Sequence, residues 1–211
     1  MGGGLLVQPM EVKARKVAEE DALRARFYGL LAHLLASPPN RETLESLGRL
    51  EGDDTEMGQA LTKLAAVAET VSPDDAEAEF NALFIGLSEG EVIPYGSYYL
   101  TGFLYEKPLA DLRWDLESLG IARAEGVAEP EDHIASLCEV MHGLITGELG
   151  GAADIGTQRK FFDTHLHSWA PRFFEDLETA GQAALYRPIG TVGRVFMAIE
   201  REAFSMVDLD A

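Results

Sequence analysis

Glu129-Pro130-Glu131-Asp132-His133 is the one stretch of this chain in which a carboxylate directly adjoins an imidazole. Such a pair suggests general acid–base chemistry, provided both groups converge on one point. The spacing argues against convergence. Pro130 suits a first helical turn, because its missing N–H would be unpaired there and its φ is preset. Glu131 and Asp132 place negative charge where a helix dipole favours it. The pattern predicts a helix over about 130–146, with Glu129 near its N-cap and Asp132 at the third helical position, reaching back to backbone N–H groups. On that helix Ile134, Leu137, Cys138, Met141 and Ile145 share one arc. His133 lies at the edge of the arc and Asp132 points roughly the other way. Two readings stay open: a rigid helix start with a partly buried histidine, or a partner-binding surface combining His133 with nearby acids.

Other chemistry-bearing groups converge no better. His165 and His167 would share a face on a strand, but the surrounding pattern is helical, where they lie about 160° apart, so no shared metal is expected. Gly96-Ser97 is preceded by Pro94-Tyr95 and lacks the nucleophile-elbow pattern. Neither a phosphate-binding P-loop nor a dinucleotide-binding glycine pattern occurs. Cys138, the single cysteine, falls on an apolar face and reads as a buried, inert thiol. No cofactor, metal or catalytic residue is expected.

What could position these residues is a set of helices. Leu23, Phe27, Leu30, Leu31 and Leu34 recur at three and four, predicting a helix over roughly 11–36. Ser37-Pro38-Pro39 stops it, and Asn40 caps the next. Leu61, Leu64, Ala68 and Val71 mark another. Ser72-Pro73-Asp74-Asp75 is a strong helix start, and the helix it opens carries Phe80, Leu83, Phe84 and Leu87 on one face. Residues 91–99 have no helical period; Pro94 and Gly96 punctuate them, and Tyr95, Tyr98 and Tyr99 crowd them. This reads as an ordered loop leading into a short helix, its tyrosines serving binding or loop packing. Leu109, Leu112, Leu116 and Leu119 define a helix closed by Gly120. Phe161, Phe162, His165, Leu166 and Trp169 give a further stripe; Ser168 and Pro171 suggest a restart with Phe173, Phe174 and Leu177 inward. Ile189, Val192, Phe196 and Ile199 mark a last helix. The class is all-α, a single-domain helical bundle of about nine helices over 11–211, with residues 1–10 flexible and a hinge at 121–130.

The chain carries 17 Lys+Arg against 36 Asp+Glu, net −19, which repels phosphate backbones and attracts basic partners. Nucleic acid is therefore excluded as a general partner. No apolar run reaches the roughly 20 residues of a bilayer span, and the first residues lack the basic start of a secretory signal. A cytoplasmic location is expected.

Three motifs in order, Phe80-Asn81-Ala82-Leu83-Phe84-Ile85-Gly86, Pro94-Tyr95-Gly96-Ser97-Tyr98-Tyr99-Leu100 and Glu129-Pro130-Glu131-Asp132-His133, resemble those of the TorD/DmsD family of cytoplasmic redox-enzyme maturation chaperones. His165-Leu166-x-x-Trp169-x-Pro171-x-Phe173 is similar to a fourth family pattern, and the resemblance spans about residues 23–200. It implies a TorD-like helical fold and a non-enzymatic role. The protein would bind the twin-arginine signal peptide and apo form of a molybdopterin oxidoreductase, assist cofactor insertion and prevent premature Tat export. Tat translocase components are further implied partners, and the protein would be a monomer or a domain-swapped dimer. Carried over by position, the peptide-binding residues are Leu83, Phe84, Pro94, Tyr95, Gly96, Ser97, Tyr98, Glu129, Asp132 and His133. Apolar side chains would enter a groove lined by Phe84 and Tyr95, and arginines would fork onto Glu91, Glu129 or Asp132. The competing readings are a helical metal-dependent hydrolase using His133 and His165, and a general acidic adaptor.

Overall fold

The computed structural model describes residues 19–86, 90–122 and 129–207. The flexible start expected at 1–10, the apolar position at Leu87 and most of the hinge expected at 121–130 lie outside them. The described residues form α1 (Glu19–Ala36), α2 (Arg41–Gly48), α3 (Glu56–Ala68) and α4 (Pro73–Phe80), which runs into a π-helical turn (Asn81–Ile85). Then come α5 (Gly96–Thr101), α6 (Lys107–Ser118), α7 (Ile134–Thr146), α8 (Ile155–His165), α9 (Ala170–Thr179) and α10 (Tyr186–Ser205). The all-α expectation holds. Against the nine or so helices expected, ten α-helices are present among the described residues.

Local chemistry sets four of the helix starts in the same way. Asn40, Thr55, Ser72 and Asp154 each accept a hydrogen bond from the backbone N–H three residues on, satisfying a donor the helix cannot. Two other backbone segments are closed from a distance. The Glu79 carboxylate accepts from the N–H groups of Ala184, Leu185 and Tyr186 at the head of α10. Glu91 accepts from Gly181 and Gln182 in the loop before it. Glu91, expected to fork onto arginine, is thus engaged in holding that loop.

α1 packs along α7, and α10 packs on α9 and α3. Trp169, Tyr28, Tyr186, Phe162, Phe173, Phe174 and Phe196 are the largest fully buried side chains; burial of each apolar ring stabilises the fold by roughly 1.5–3 kcal/mol. A Cβ at Gly193 would fall 2.2 Å from the Phe174 ring, so glycine lets α10 lie directly against α9. Two expected core residues are not in the core. Leu23 and Ile199 are about half exposed, at 54% and 47%. The inward arc of α1 instead carries Ala25, Tyr28, Leu31, Leu34 and Leu35. Glu200, the next residue after Ile199, is instead fully buried.

Candidate functional site

The helix expected over 130–146 begins later, at Ile134. Glu131 and Asp132 form a turn, and His133 is the N-cap, with extended backbone and its Nδ1 accepting from Ala135 N at 3.1 Å. Pro130 therefore precedes the helix: its carbonyl accepts from His133 N, closing the turn ahead of the cap. Asp132 does reach a backbone N–H, but one of another helix. Its Oδ2 accepts from Ser97 N at 2.8 Å, capping α5 in place of the absent side-chain cap at Tyr95. The backbones also pair. Ile134 N donates to Pro94 O and Gly96 N to Asp132 O, an isolated antiparallel bridge between Tyr95 and His133. The Pro94–Ser97 loop and the Asp132–Ile134 turn are thereby one unit. Their rings meet edge to face at 5.1 Å, and the Tyr95 hydroxyl donates to Glu129.

This unit forms one wall of a groove of about 580 Å³. Opposite it are the small side chains of α1 (Gly29, Ala32 and Ala36), with Phe80, Phe84 and Ile85 from the end of α4 and the π turn. The π turn matters here. Its wider winding brings Gly86 N onto Asn81 O and leaves Leu83 O free to accept from Val92 N. Leu83 points into the core, fully buried, while Phe84 packs edge-on to Phe80 and Tyr186 and lines the groove. The start of α7 closes the groove with Ala135, Ser136, Glu139 and His142.

The residues implied by the motifs divide accordingly. Phe84, Pro94, Tyr95, Glu129 and His133 line the groove. Leu83, Gly96, Ser97 and Asp132 are buried behind it. Gly96 is held there by Trp169, whose indole lies 3.1 Å from where a Cβ would stand. Tyr98 is exposed and lines a separate cleft with Glu91, Tyr99 and Asp176. The groove residues that sequence reasoning missed, Gly29, Ala32, His33, Ala36 and Glu139, come from helices whose pattern signals only amphipathicity.

Burial keeps two of the groove's side chains, His133 and Tyr95, in their uncharged forms. It depresses the His133 imidazole to about 4, although Glu129 and Asp132 pull the other way. The Nδ1 cap needs the unprotonated nitrogen, in keeping with that direction. Burial and the Glu129 carboxylate push the Tyr95 phenol up, so it remains a donor. The groove is thus apolar along its floor, with acids at Glu129 and Glu139 on its rim. His142 Nδ1 donates to Ala25 O, tying α7 to α1, and its Nε2 lies 3.6 Å from Glu148.

The other histidine pair does not meet. His165 is buried and its Nε2 bonds Asp115 at 2.8 Å, whereas His167 is exposed. Among the described residues no group of three His, Cys, Asp or Glu side chains could hold a metal ion. Cys138 is fully buried, and burial pushes its thiol up, away from the reactive thiolate. No helix among the described residues is long and apolar enough to cross a membrane.

Residues 50–175 match a protein-family model described as nitrate reductase delta subunit. The chain is 31% identical over 173 residues to the chaperone protein TorD of Aliivibrio fischeri, covering 72% of this chain and 80% of that one. It is 26% identical over 182 residues to the chaperone protein TorD of Vibrio atlanticus, covering 75% and 85%. Its fold matches the crystal structure of a candidate redox enzyme maturation protein from Archaeoglobus fulgidus, with a TM-score of 0.55, 21% identity and coverage of 83% and 94%.

Proposed function

The chain belongs to the TorD family of redox-enzyme maturation chaperones, and from that premise we propose that it binds the twin-arginine signal peptide of a molybdopterin oxidoreductase precursor. It holds the apo-enzyme in the cytoplasm while the cofactor is inserted and delays export through the Tat system. The observation that carries this reading is the groove between α1, the π turn, the Pro94–Ser97 loop and α7. Its floor of Phe80, Phe84, Leu35 and Pro94 suits the apolar stretch of a signal peptide, and its rim acids suit arginine. Phe84, Pro94, Tyr95, Glu129 and His133 touch the peptide. Leu83, Gly96, Ser97 and Asp132 set the shape of the wall behind them.

Apolar burial supplies most of the affinity. Exposed ion pairs add only about 0.2–1 kcal/mol each, so the acidic surface acts mainly on encounter rate and orientation. Titration calorimetry with a synthetic twin-arginine signal peptide and its Lys-Lys counterpart tests the proposal. Binding of the first, weakened by Phe84→Ala, is expected; no binding of either peptide would end the reading. Against the hydrolase alternative, the His133 Nδ1 is engaged in capping α7, and among the described residues no group of three His, Cys, Asp or Glu side chains could hold a metal ion.

A further inference from the structure

We infer that the twin-arginine peptide lies in the groove in one direction, with an arginine on Glu139 and the apolar stretch running toward Phe84 and Pro94, parallel to α1. The inference rests on the peptide-binding reading above and adds to it the arginine's partner and the peptide's polarity.

The groove follows two helices. Ala25 O lies 2.8 Å from His142 Nδ1, and a Cβ on Gly29 would stand 3.2 Å from the same atom. α1 packs along α7, and Ala36 and Ala135 line the same groove, so the two helices run antiparallel. Gly29, Ala32 and Ala36 of α1 recur at helical spacing along one wall, and Ala135, Glu139 and His142 of α7 along the other. The small side chains of α1 let a peptide backbone come close.

The two ends of the groove differ. Phe84 packs edge-on to Tyr186 at 5.3 Å, and the Tyr186 hydroxyl donates to Leu34 O, which sets Phe84 beside the last turns of α1. Pro94 O accepts from Ile134 N, which sets Pro94 at the first turn of α7. Ile85, next to Phe84 and 60% exposed, enlarges the apolar surface there. Glu139 stands at the other end, about 9 Å along α7 from His133 at 1.5 Å per residue. Glu148 lies 3.6 Å from His142 Nε2 and brings a second carboxylate to that end.

Glu139 is the acid left for an incoming cation. Glu129 accepts from the Tyr95 hydroxyl, Glu131 from Arg113, and Glu91 from Gly181 and Gln182. Glu139 is exposed and makes no hydrogen bond or ion pair among the described residues. No lysine or arginine lines the groove to neutralise it. A guanidinium forks onto a carboxylate, and in a signal peptide the basic residues precede the apolar stretch. With an arginine on Glu139 and the apolar stretch on Phe84 and Pro94, the peptide therefore runs from Gly29 toward Ala36. The reverse direction would press charged head groups onto apolar rings and leave Glu139 beside apolar side chains, which costs free energy at both ends.

The test uses photo-cross-linking and mass spectrometry with two signal peptides, one carrying benzoyl-phenylalanine just before the arginine pair and one carrying it at the end of the apolar stretch. The first is expected to cross-link around Gly29 and Glu139–His142, the second around Phe84 and Pro94. Fluorescence anisotropy at low ionic strength then compares Arg-Arg and Ala-Ala peptides on wild type and Glu139→Gln, with melting temperatures alongside. Glu139→Gln is expected to keep its melting temperature and to lose about two- to fivefold in affinity for the arginine peptide alone, the scale of one exposed ion pair. The reverse cross-linking pattern, the same pattern from both probes, or an arginine preference untouched by Glu139→Gln overturns the assigned direction and leaves the groove reading in place. Cross-links confined to surfaces outside the groove, or no binding by wild type, overturn both.

Discussion

The Asp132 carboxylate closes the N-terminus of a helix that begins well before it in the chain, its Oδ2 accepting from Ser97 N at 2.8 Å across 35 residues. Aspartate is a favoured N-cap, yet here it serves α5 while His133 caps its own helix. The bond ties the loop that carries Tyr95 to the turn that carries His133. The groove wall therefore depends on a residue with no access to the groove.

Asp132→Ala is expected to keep a native circular dichroism spectrum but lose about 1–2 kcal/mol in urea unfolding, the scale of a lost cap. Peptide affinity falls as well, because the wall loosens. Ser97→Ala is expected to behave differently. Its hydroxyl is buried without a protein partner among the described residues, so removing it changes stability by less than about 1 kcal/mol in either direction. A Ser97→Ala variant as damaged as Asp132→Ala would show that the hydroxyl, and not the backbone N–H, is the group that matters.

Stability should depend on pH through His133. The unfolded chain takes up a proton near the ordinary 6.5, the folded chain only near 4. Between those values the unfolded state binds more protons, so stability rises with pH, is fully present above about 6.5 and drains away as pH falls toward 4. The size is on the order of 3 kcal/mol. His165, also depressed by burial, contributes with the same sign. His133→Asn supplies a cap that does not titrate. Urea unfolding at pH 5 and pH 7 is expected to differ less for this variant than for wild type; an unchanged difference would assign the slope to other groups.

Binding should respond to salt through the rim and not through the floor. Glu139→Gln is expected to slow association with the arginine peptide at low ionic strength and to have little effect at about 0.5 M salt, where exposed charges are screened within a few ångströms. Phe84→Ala is expected to cost roughly tenfold or more in affinity at either salt concentration, since it removes apolar contact area. Stopped-flow association rates at the two concentrations separate these effects. A salt-independent Glu139→Gln defect would mean that the carboxylate makes a buried contact with the peptide.

The helices are legible where short-range chemistry sets them. Ser72-Pro73, Asn40 and the leucines of α6 each declare an element within a few residues. The motif residues that meet in the groove are legible by resemblance, not by geometry, because Pro94–Ser97 and Asp132–Ile134 join through backbone pairing that side-chain pattern does not record. The true start of α7 escapes local reading for the same reason. Pro130 with two acids is a sound local signal for a first turn, but pairing of Ile134 N with Pro94 O holds His133 extended. The π turn likewise depends on a distant partner, Val92, for a carbonyl it leaves open.

The least legible feature yields the sharpest stability prediction. Glu200 is fully buried on α10 and is held by Arg24 through two bonds, Nε at 2.7 Å and Nη2 at 2.9 Å, with the Tyr28 hydroxyl as a third donor at 2.9 Å. Arg24 also reaches Asp21 and Gln158 and lies over the Phe204 ring. Helical periodicity assigns charged residues to solvent, so nothing local marks this cluster, which fastens α1 to α10 across the core. Arg24→Met leaves a buried carboxylate without its counter-charge and is expected to cost about 3–5 kcal/mol. Glu200→Leu strands a partly buried guanidinium and is expected to cost somewhat less, because Arg24 keeps Asp21 and some access to water. The double variant removes both charges and fills the space with apolar atoms, so it should recover most of the loss. A double-mutant cycle from urea midpoints measures this directly, with a coupling of several kcal/mol expected. If the two losses simply add, the cluster is held by packing around it, and the ion pair is not what joins α1 to α10.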